Sequence, residues 1–241
     1  MGLGEFQRLF AQSSHSIREL TYRQRAGGTV WKCDLMTATV VALPGFTRTP
    51  RHLQYLASAC ESAGIRCLRP KLTPRWLPLL YMSGRHLRKI ARSVTRQSPG
   101  PFVLVGHSAG AAAACFIARL LAEGDSTSLN GLVLIDGVDS PNHLIRRSLP
   151  FLASTPVAAV LAPPSRCNRN GQLQQMLTSM PWISVDVIDG SGHGDIEGGG
   201  VAIYRRLCGE ESSTETAALQ LRAVMHHIET MSDTPSSPGY A

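Results

Sequence analysis

The chain lacks any apolar run approaching the ~20 residues of a membrane-spanning helix, so no membrane association is expected. Met1 to Gln24 hold no apolar stretch of the signal-peptide kind, and Phe6 stands where a myristoylation signal wants Ser or Thr. Neither Cys-x-x-Cys nor His-x-x-x-His occurs, which removes the common metal-ligand spacings, and no cofactor is called for. Six cysteines in 241 residues do not form the pattern of a disulfide framework. Cys33, Cys67 and Cys115 lie inside apolar segments and read as small buried hydrophobes. Reduced thiols and a cytoplasmic location are therefore the expectation. The formal charge of +7 is dispersed. Its densest part is Arg85, Arg88, Lys89, Arg92 and Arg96, on one face of a predicted helix whose other face is Leu87, Ile90, Ala91 and Val94. A solvated face is the plainer reading, and an acidic partner is the alternative. No aromatics interleave with these arginines and no nucleic-acid-binding motif accompanies them, so nucleic acid is not expected as a partner.

What is present is a core and an alternation. Hydrophobic residues make up 43%, enough for one full interior at this length. Short apolar runs alternate with helical patterns, which predicts an α/β domain with a mostly parallel central sheet flanked by helices. The candidate strands are Thr29–Leu35, Ala38–Leu43, Ile65–Arg69, Phe102–Val105, Gly131–Ile135, Val157–Ala162 and Ile183–Ile188. Ile17–Arg23 is a candidate edge strand, hairpinned through Gly27-Gly28. Leu53, Leu56, Ala57 and Cys60 repeat at helical spacing, and Gly64 stops that helix. Ser212-Ser213-Thr214-Glu215 reads as a capping box opening a helix with Ala217, Leu221, Val224 and Ile228 on one side. No internal repeat or second-domain boundary is visible, so residues 1–231 are expected as one domain. The Pro/Ser/Gly-rich residues 232–241 are expected as a disordered tail. Only about twenty residues separate Ile135 from Val157, which leaves room for one small helix and not for a large cap.

The most informative stretch is Leu104-Val105-Gly106-His107-Ser108-Ala109-Gly110, a Gly-x-Ser-x-Gly motif at the end of an apolar run. Ala111 to Ala114 follow without a break. A buried strand turning sharply into a tightly packed helix has this composition, with Ser108 exposed at the apex. Gly106 and Gly110 give room for the bend and for close strand–helix approach. A serine hydroxyl needs a base to take its proton, and histidine is suited because its pKa lies near operating pH. Of eight histidines, His193 lies in the flexible loop Asp189-Gly190-Ser191-Gly192-His193-Gly194-Asp195, straight after the last predicted strand. His15, His52, His86, His143, His226 and His227 fall in helical or terminal segments and read as surface residues. His107 is expected to point away from the substrate side and pack the elbow.

An acyl-transfer site also needs backbone N–H donors for the oxyanion. Ala109, after the nucleophile, supplies one, and Phe46 in Leu43-Pro44-Gly45-Phe46-Thr47 is the candidate for the other. Trp76, Leu77, Leu79, Leu80, Tyr81 and Met82 crowd together with Pro74 and Pro78. They read either as ordinary core or as an apolar wall beside the site, with Trp76, Leu80 and Tyr81 as candidate substrate-binding residues.

Pro44-Gly45-Phe46-Thr47, Gly64-Ile65-Arg66-Cys67 and Gly106-His107-Ser108-Ala109-Gly110 together resemble the α/β-hydrolase superfamily over roughly residues 36 to 230. The branch of dienelactone hydrolases, cutinase-like polyester hydrolases and chlorophyllases looks most similar. The resemblance implies an α/β-hydrolase fold without a large cap domain. Two departures stand out. Ala111 replaces a second glycine after the elbow, and Ala162 to Asn168 hold no carboxylate where polyester hydrolases carry the acid. Chlorophyllases have an Ile-Asp-x-Val-Asp segment after the preceding strand, similar to Ile135-Asp136-Gly137-Val138-Asp139 here. Their Gly-His-x-Asp stretch is similar to Gly192-His193-Gly194-Asp195.

Asp136, at the strand tip, matches the chlorophyllase acid and is preferred. Asp139 is the alternative acid, or else caps a helix starting at Pro141. Asp189 and Asp195 are too close in sequence to approach the His193 ring from behind, and Glu197 reads as loop surface. The expected activity is hydrolysis of a carboxylic ester of a small or medium apolar molecule through an acyl-serine. A thioesterase or acyltransferase using the same residues is the runner-up, with an ester or thioester as the small-molecule partner. Outside catalysis, the alternatives are a ligand-binding protein on the same scaffold, or an accessory protein binding an acidic partner through its arginines.

Overall fold

In a computed structural model of the protein, residues 38–46, 48–72, 82–124, 128–197, 208 and 213–233 are described. The expected strands at Ile17–Arg23 and Thr29–Leu35 lie outside these residues. So do the candidate wall residues Trp76, Leu80 and Tyr81, and the tail from 234 onward.

Six described strands form one parallel sheet: β1 (Thr39–Leu43), β2 (Arg66–Leu68), β3 (Phe102–His107), β4 (Leu129–Ile135), β5 (Val157–Leu161) and β6 (Ser184–Val187). Their order across the sheet is β2-β1-β3-β4-β5-β6. β1, β3 and β5 are buried along their whole length. That is the signature of strands covered on both faces, and it explains why they read as unbroken apolar runs. Val41, Leu43, Phe102, Leu104, Leu132, Leu134, Ala159 and Leu161 point to one side. There they pack on α2 (Gly84–Gln97), α3 (Ala109–Glu123) and the short α4 (Leu144–Ser148). α1 (Gln54–Ser62) and the last described helix, α6 (Thr214–Asp233), meet each other on the opposite face, where Cys60 touches Met225 at 3.9 Å. α5 (Gln172–Leu177) precedes β6.

α2 follows its sequence pattern: Leu87, Ile90, Ala91 and Val94 are buried while Arg85, Arg88, Lys89, Arg92 and Arg96 are exposed. Between Ile135 and Val157 the chain carries only α4 and one 3-10 turn, Leu149–Leu152. No described helix is long and apolar enough to cross a membrane.

Three local expectations change. The helix placed at Pro141 begins at Leu144. The cap of α6 is formed by Ser213 and Thr216: Ser213 Oγ accepts the Thr216 N–H at 3.1 Å, and Thr216 Oγ1 accepts the Ser213 N–H at 3.0 Å. Because the helix starts at Thr214, the reciprocal partner three positions on from the cap is Thr216 and not Glu215. The third change concerns thiols. Cys167 and Cys208 are joined in a disulfide, with Cα atoms 5.3 Å apart. The expectation of reduced cysteines fails here because the two partners, 41 residues apart, meet only through the fold. The argument for a cytoplasmic location from reduced thiols loses its support accordingly.

Candidate active site

β3 and β4 end level with each other, His107 opposite Ile135. The next residue of each strand, Ser108 and Asp136, therefore leaves the sheet side by side at the carboxyl ends of the strands. In open parallel sheets this is the edge where ligands bind. Ser108 takes φ 55° and ψ −126°, a conformation costly for a residue with a side chain. Backbone bonds on both sides hold it there: its N–H donates to Ile135 O at 3.0 Å, and its carbonyl accepts the amides of Ala111 and Val138, each at 3.0 Å. α3 starts at once, and its first turn lies so close to β1 that a Cβ on Gly110 would collide with the carbonyl oxygens of Leu43 and Pro44. The small residues after the serine are thus a packing requirement of the turn.

His193 lies in the loop after β6 and is 3% exposed. Its Nδ1 is 2.5 Å from Asp136 Oδ2, and its Nε2 is 2.9 Å from Ser108 Oγ. A carboxylate only accepts, so Nδ1 carries the proton and donates to Asp136. With the proton on Nδ1, the Nε2 lone pair is left to accept from the serine hydroxyl. Asp136, 2% exposed, also has a left-handed backbone (φ 39°), and its N–H donates to Val160 O at 2.8 Å. Its second oxygen, Oδ1, accepts from Ala162 N at 3.2 Å and from Asn168 Nδ2 at 3.1 Å.

Asp139 does not join this group. Its Oδ1 accepts the amides of Ser140 and Ile145, both at 2.8 Å, and Oδ2 accepts the Arg146 amide at 3.4 Å. It satisfies the open first turn of α4, where a carboxylate also meets the positive end of the helix.

Phe46 is 49% exposed in the loop after β1. Gly45 faces the serine: a Cβ built on it would lie 3.2 Å from Ser108 Cβ and 3.6 Å from its Oγ. Ala109 is the first residue of α3, where backbone N–H groups have no partner within the helix. Ala109 therefore borders Ser108 in sequence, and Phe46 directly follows Gly45, the loop residue that faces it.

Sequence reasoning missed the polar support behind the site. Glu197, expected on the loop surface, has a side chain only 2% exposed, and ion-pairs with His107 Nδ1 at 3.2 Å and Arg48 Nε at 3.1 Å. His107 Nε2 donates to the backbone carbonyl of His193 at 2.7 Å. Burial alone would push the His107 pKa down. The acceptors on both sides of its ring, Glu197 foremost, outweigh that and hold it above its ordinary value. Burial would likewise raise Glu197, but His107 and Arg48 bring it below the usual carboxylate range. One buried histidine, through Glu197, thus links the loop after β1, the elbow and the backbone of His193. The single-residue spacing of His107 and Ser108 was visible in sequence; the partners were not, because they come from distant loops.

No family model and no curated protein matches this chain. Solved structures do. The thioesterase domain from the curacin biosynthetic pathway aligns with TM-score 0.56 and 16% identity, over 71% of this chain and 91% of that one. A structure described with LipS and LipT, two metagenome-derived lipolytic enzymes, aligns with TM-score 0.54 and 13% identity, over 80% of this chain and 94% of that one. A pyrethroid hydrolase from Sphingobium faniae JZ-2 aligns with TM-score 0.53 and 14% identity, over 84% and 100%.

The fold is that of the α/β-hydrolases. Within the α/β-hydrolase fold the described sheet carries Ser108, Asp136 and His193 on loops after its third, fourth and sixth strands. The narrower similarity to dienelactone hydrolases, polyester hydrolases and chlorophyllases finds no counterpart among these neighbours.

Proposed function

We propose that this protein is a serine hydrolase that cleaves a carboxylic ester of a small or medium apolar molecule through an acyl-Ser108 intermediate. The observation that carries the reading is His193, bonded at once to a buried carboxylate and to a serine hydroxyl on a strained turn. Ser108 Oγ attacks the ester carbonyl while His193 Nε2 takes its proton. Asp136 holds the ring in the required tautomer and stabilises the imidazolium that forms. The oxyanion forms beside the N–H groups of Ala109 and Phe46. Collapse expels the alcohol, which takes the proton from His193. Water activated by the same ring then releases the acid and frees Ser108. The half-exposed Phe46 ring, on the loop that faces Ser108, favours apolar groups near the scissile bond.

A thioester is the second reading, supported by the thioesterase domain among the structural neighbours and by the identical acyl-serine step. A fluorophosphonate probe together with a panel of esters and thioesters of graded acyl chain tests both. Labelling at Ser108 is expected, with neutral apolar esters preferred over charged ones. Ser108→Ala should keep the fold and lose at least three orders of magnitude in turnover, as triad members commonly do. An unlabelled protein would instead be a ligand-binding member of the fold. A tenth of wild-type turnover in Ser108→Ala would refute the mechanism.

A further inference from the structure

We propose that Asn168 is a positioning residue for Asp136, and that the loop from Ala162 to Gly171 is built to present it; this rests on Asp136 being the acid partner of His193. Asp136 divides its two oxygens. Oδ2 serves the His193 ring, and Oδ1 receives the Asn168 amide at 3.1 Å and the Ala162 N–H at 3.2 Å. A carboxylate with donors on one oxygen only is free to rotate about its terminal bond. Donors on both oxygens fix the plane of the group, and with it the lone pair aimed at Nδ1.

Asn168 is itself held on every side. Its Oδ1 accepts the amides of Ser165 at 2.8 Å and Gly171 at 2.9 Å. Its Nδ2 faces Pro163 O at 2.9 Å and Ala162 O at 3.4 Å, besides Asp136. These partners allow one orientation of the amide only, because backbone N–H groups demand oxygen on one side and oxygens demand NH2 on the other. The residue is 2% exposed.

The backbone around it is unusual. Arg169, Asn170 and Gly171 take φ values of 54°, 54° and 72° in succession, and two of the three carry side chains. Strain of this kind persists only where neighbouring bonds over-determine it. The Asn170 amide donates to Ser165 O at 2.7 Å, and the residue before Asn168 is tied by the Cys167–Cys208 disulfide. A loop made only to connect β5 with α5 needs none of this. The residue type is also informative. An aspartate at 168 would set a second carboxylate against Asp136 Oδ1 and the two backbone carbonyls, where only a donor fits.

The test uses the whole protein, with a fluorophosphonate probe as the reagent and its inactivation rate followed against pH. The ionisable groups facing Asp136 are His193 and, behind it, His107, whose ring centroid is 5.0 Å from that of His193. Asn168→Ala should react about 10- to 100-fold more slowly, the worth of one hydrogen bond to a charged group. Asn168→Asp keeps the shape but adds negative charge, so the acid limb of its profile should move up by about one pH unit. Should the alanine variant fail to fold, Asn168→Ser, a smaller polar side chain that places no charge in the loop, and its rate and pH profile decide alone. Folded variants with lowered melting temperatures but wild-type rate and an unmoved limb would overturn this inference, leaving Asn168 a brace of its own loop. Failure of the wild type to label at Ser108 would overturn the serine-hydrolase reading, and this inference with it.

Discussion

Asp136 and Asp139 are three residues apart, similarly buried, and do different things. Asp136 meets the buried His193 ring at 2.5 Å, whereas Asp139 accepts the amides of Ser140, Ile145 and Arg146, with only the exposed His143 ring 3.9 Å from its Oδ2. Paired substitutions separate the roles. Asp136→Asn keeps the side-chain volume but can present an amide to Nδ1, which favours the wrong tautomer, and kcat should fall by about 10⁴-fold. Asp139→Asn should leave turnover near normal and cost about 1 kcal/mol of stability through a weakened cap. Kinetics and melts of the two variants, measured in parallel, check this; the reverse pattern would move the acid role to Asp139. Sequence alone kept both open, because nothing local to the segment Ile135–Asp139 says which side chain turns toward a histidine 54 to 57 residues away.

At the scale of elements, the turn between β3 and α3 sets the geometry of Ser108, the proposed nucleophile. Its motif was legible because each residue answers a local demand: a strand, a bend, then small residues where helix and sheet touch. The tightest point is Gly110 against the Leu43 and Pro44 carbonyls. Those atoms are backbone of a central strand and the loop after it, so they cannot rotate away as a side chain would. Gly110→Ala should therefore destabilise the fold by about 1–3 kcal/mol, the usual range for overpacking. It should also lower activity by shifting Ser108 against Gly45. Denaturant unfolding of the variant checks the first part, and a midpoint equal to wild type would contradict the packing argument.

Across the whole molecule, Arg48, Glu197 and His107 form a buried charged chain that ties three loops together behind the site. Its pH behaviour follows from the two shifts. The His107 pKa is raised, so its contribution is full at low pH and fades as pH climbs through the raised value. The Glu197 pKa is lowered, so its contribution is full above the ordinary carboxylate range and fades as pH falls through the lowered value. The pair is worth most in the window between, beginning above the ordinary carboxylate range and extending above the ordinary histidine value of about 6.5. Glu197→Gln should lower the melting temperature most inside that window, with the difference from wild type shrinking toward alkaline pH. A difference constant across the range would contradict a charged His107.

Whatever depends on neighbours along the chain was legible without the fold. The apolar runs that became β1, β3, β4 and β5, the amphipathic pattern of α2, the serine turn and the histidine loop each satisfy a local rule of periodicity or turn chemistry. Which distant polar groups meet depends on how the strands and loops pack. The level ends of β3 and β4 put Ser108 beside Asp136, and the loop after β5 brought Asn168 to the free oxygen of that carboxylate. The fold also carried Cys167 to Cys208 and buried Glu197 under Arg48 and His107. Such pairings follow from strand order and register, which are set by the packing of the entire sheet, and a short window of sequence carries no trace of them.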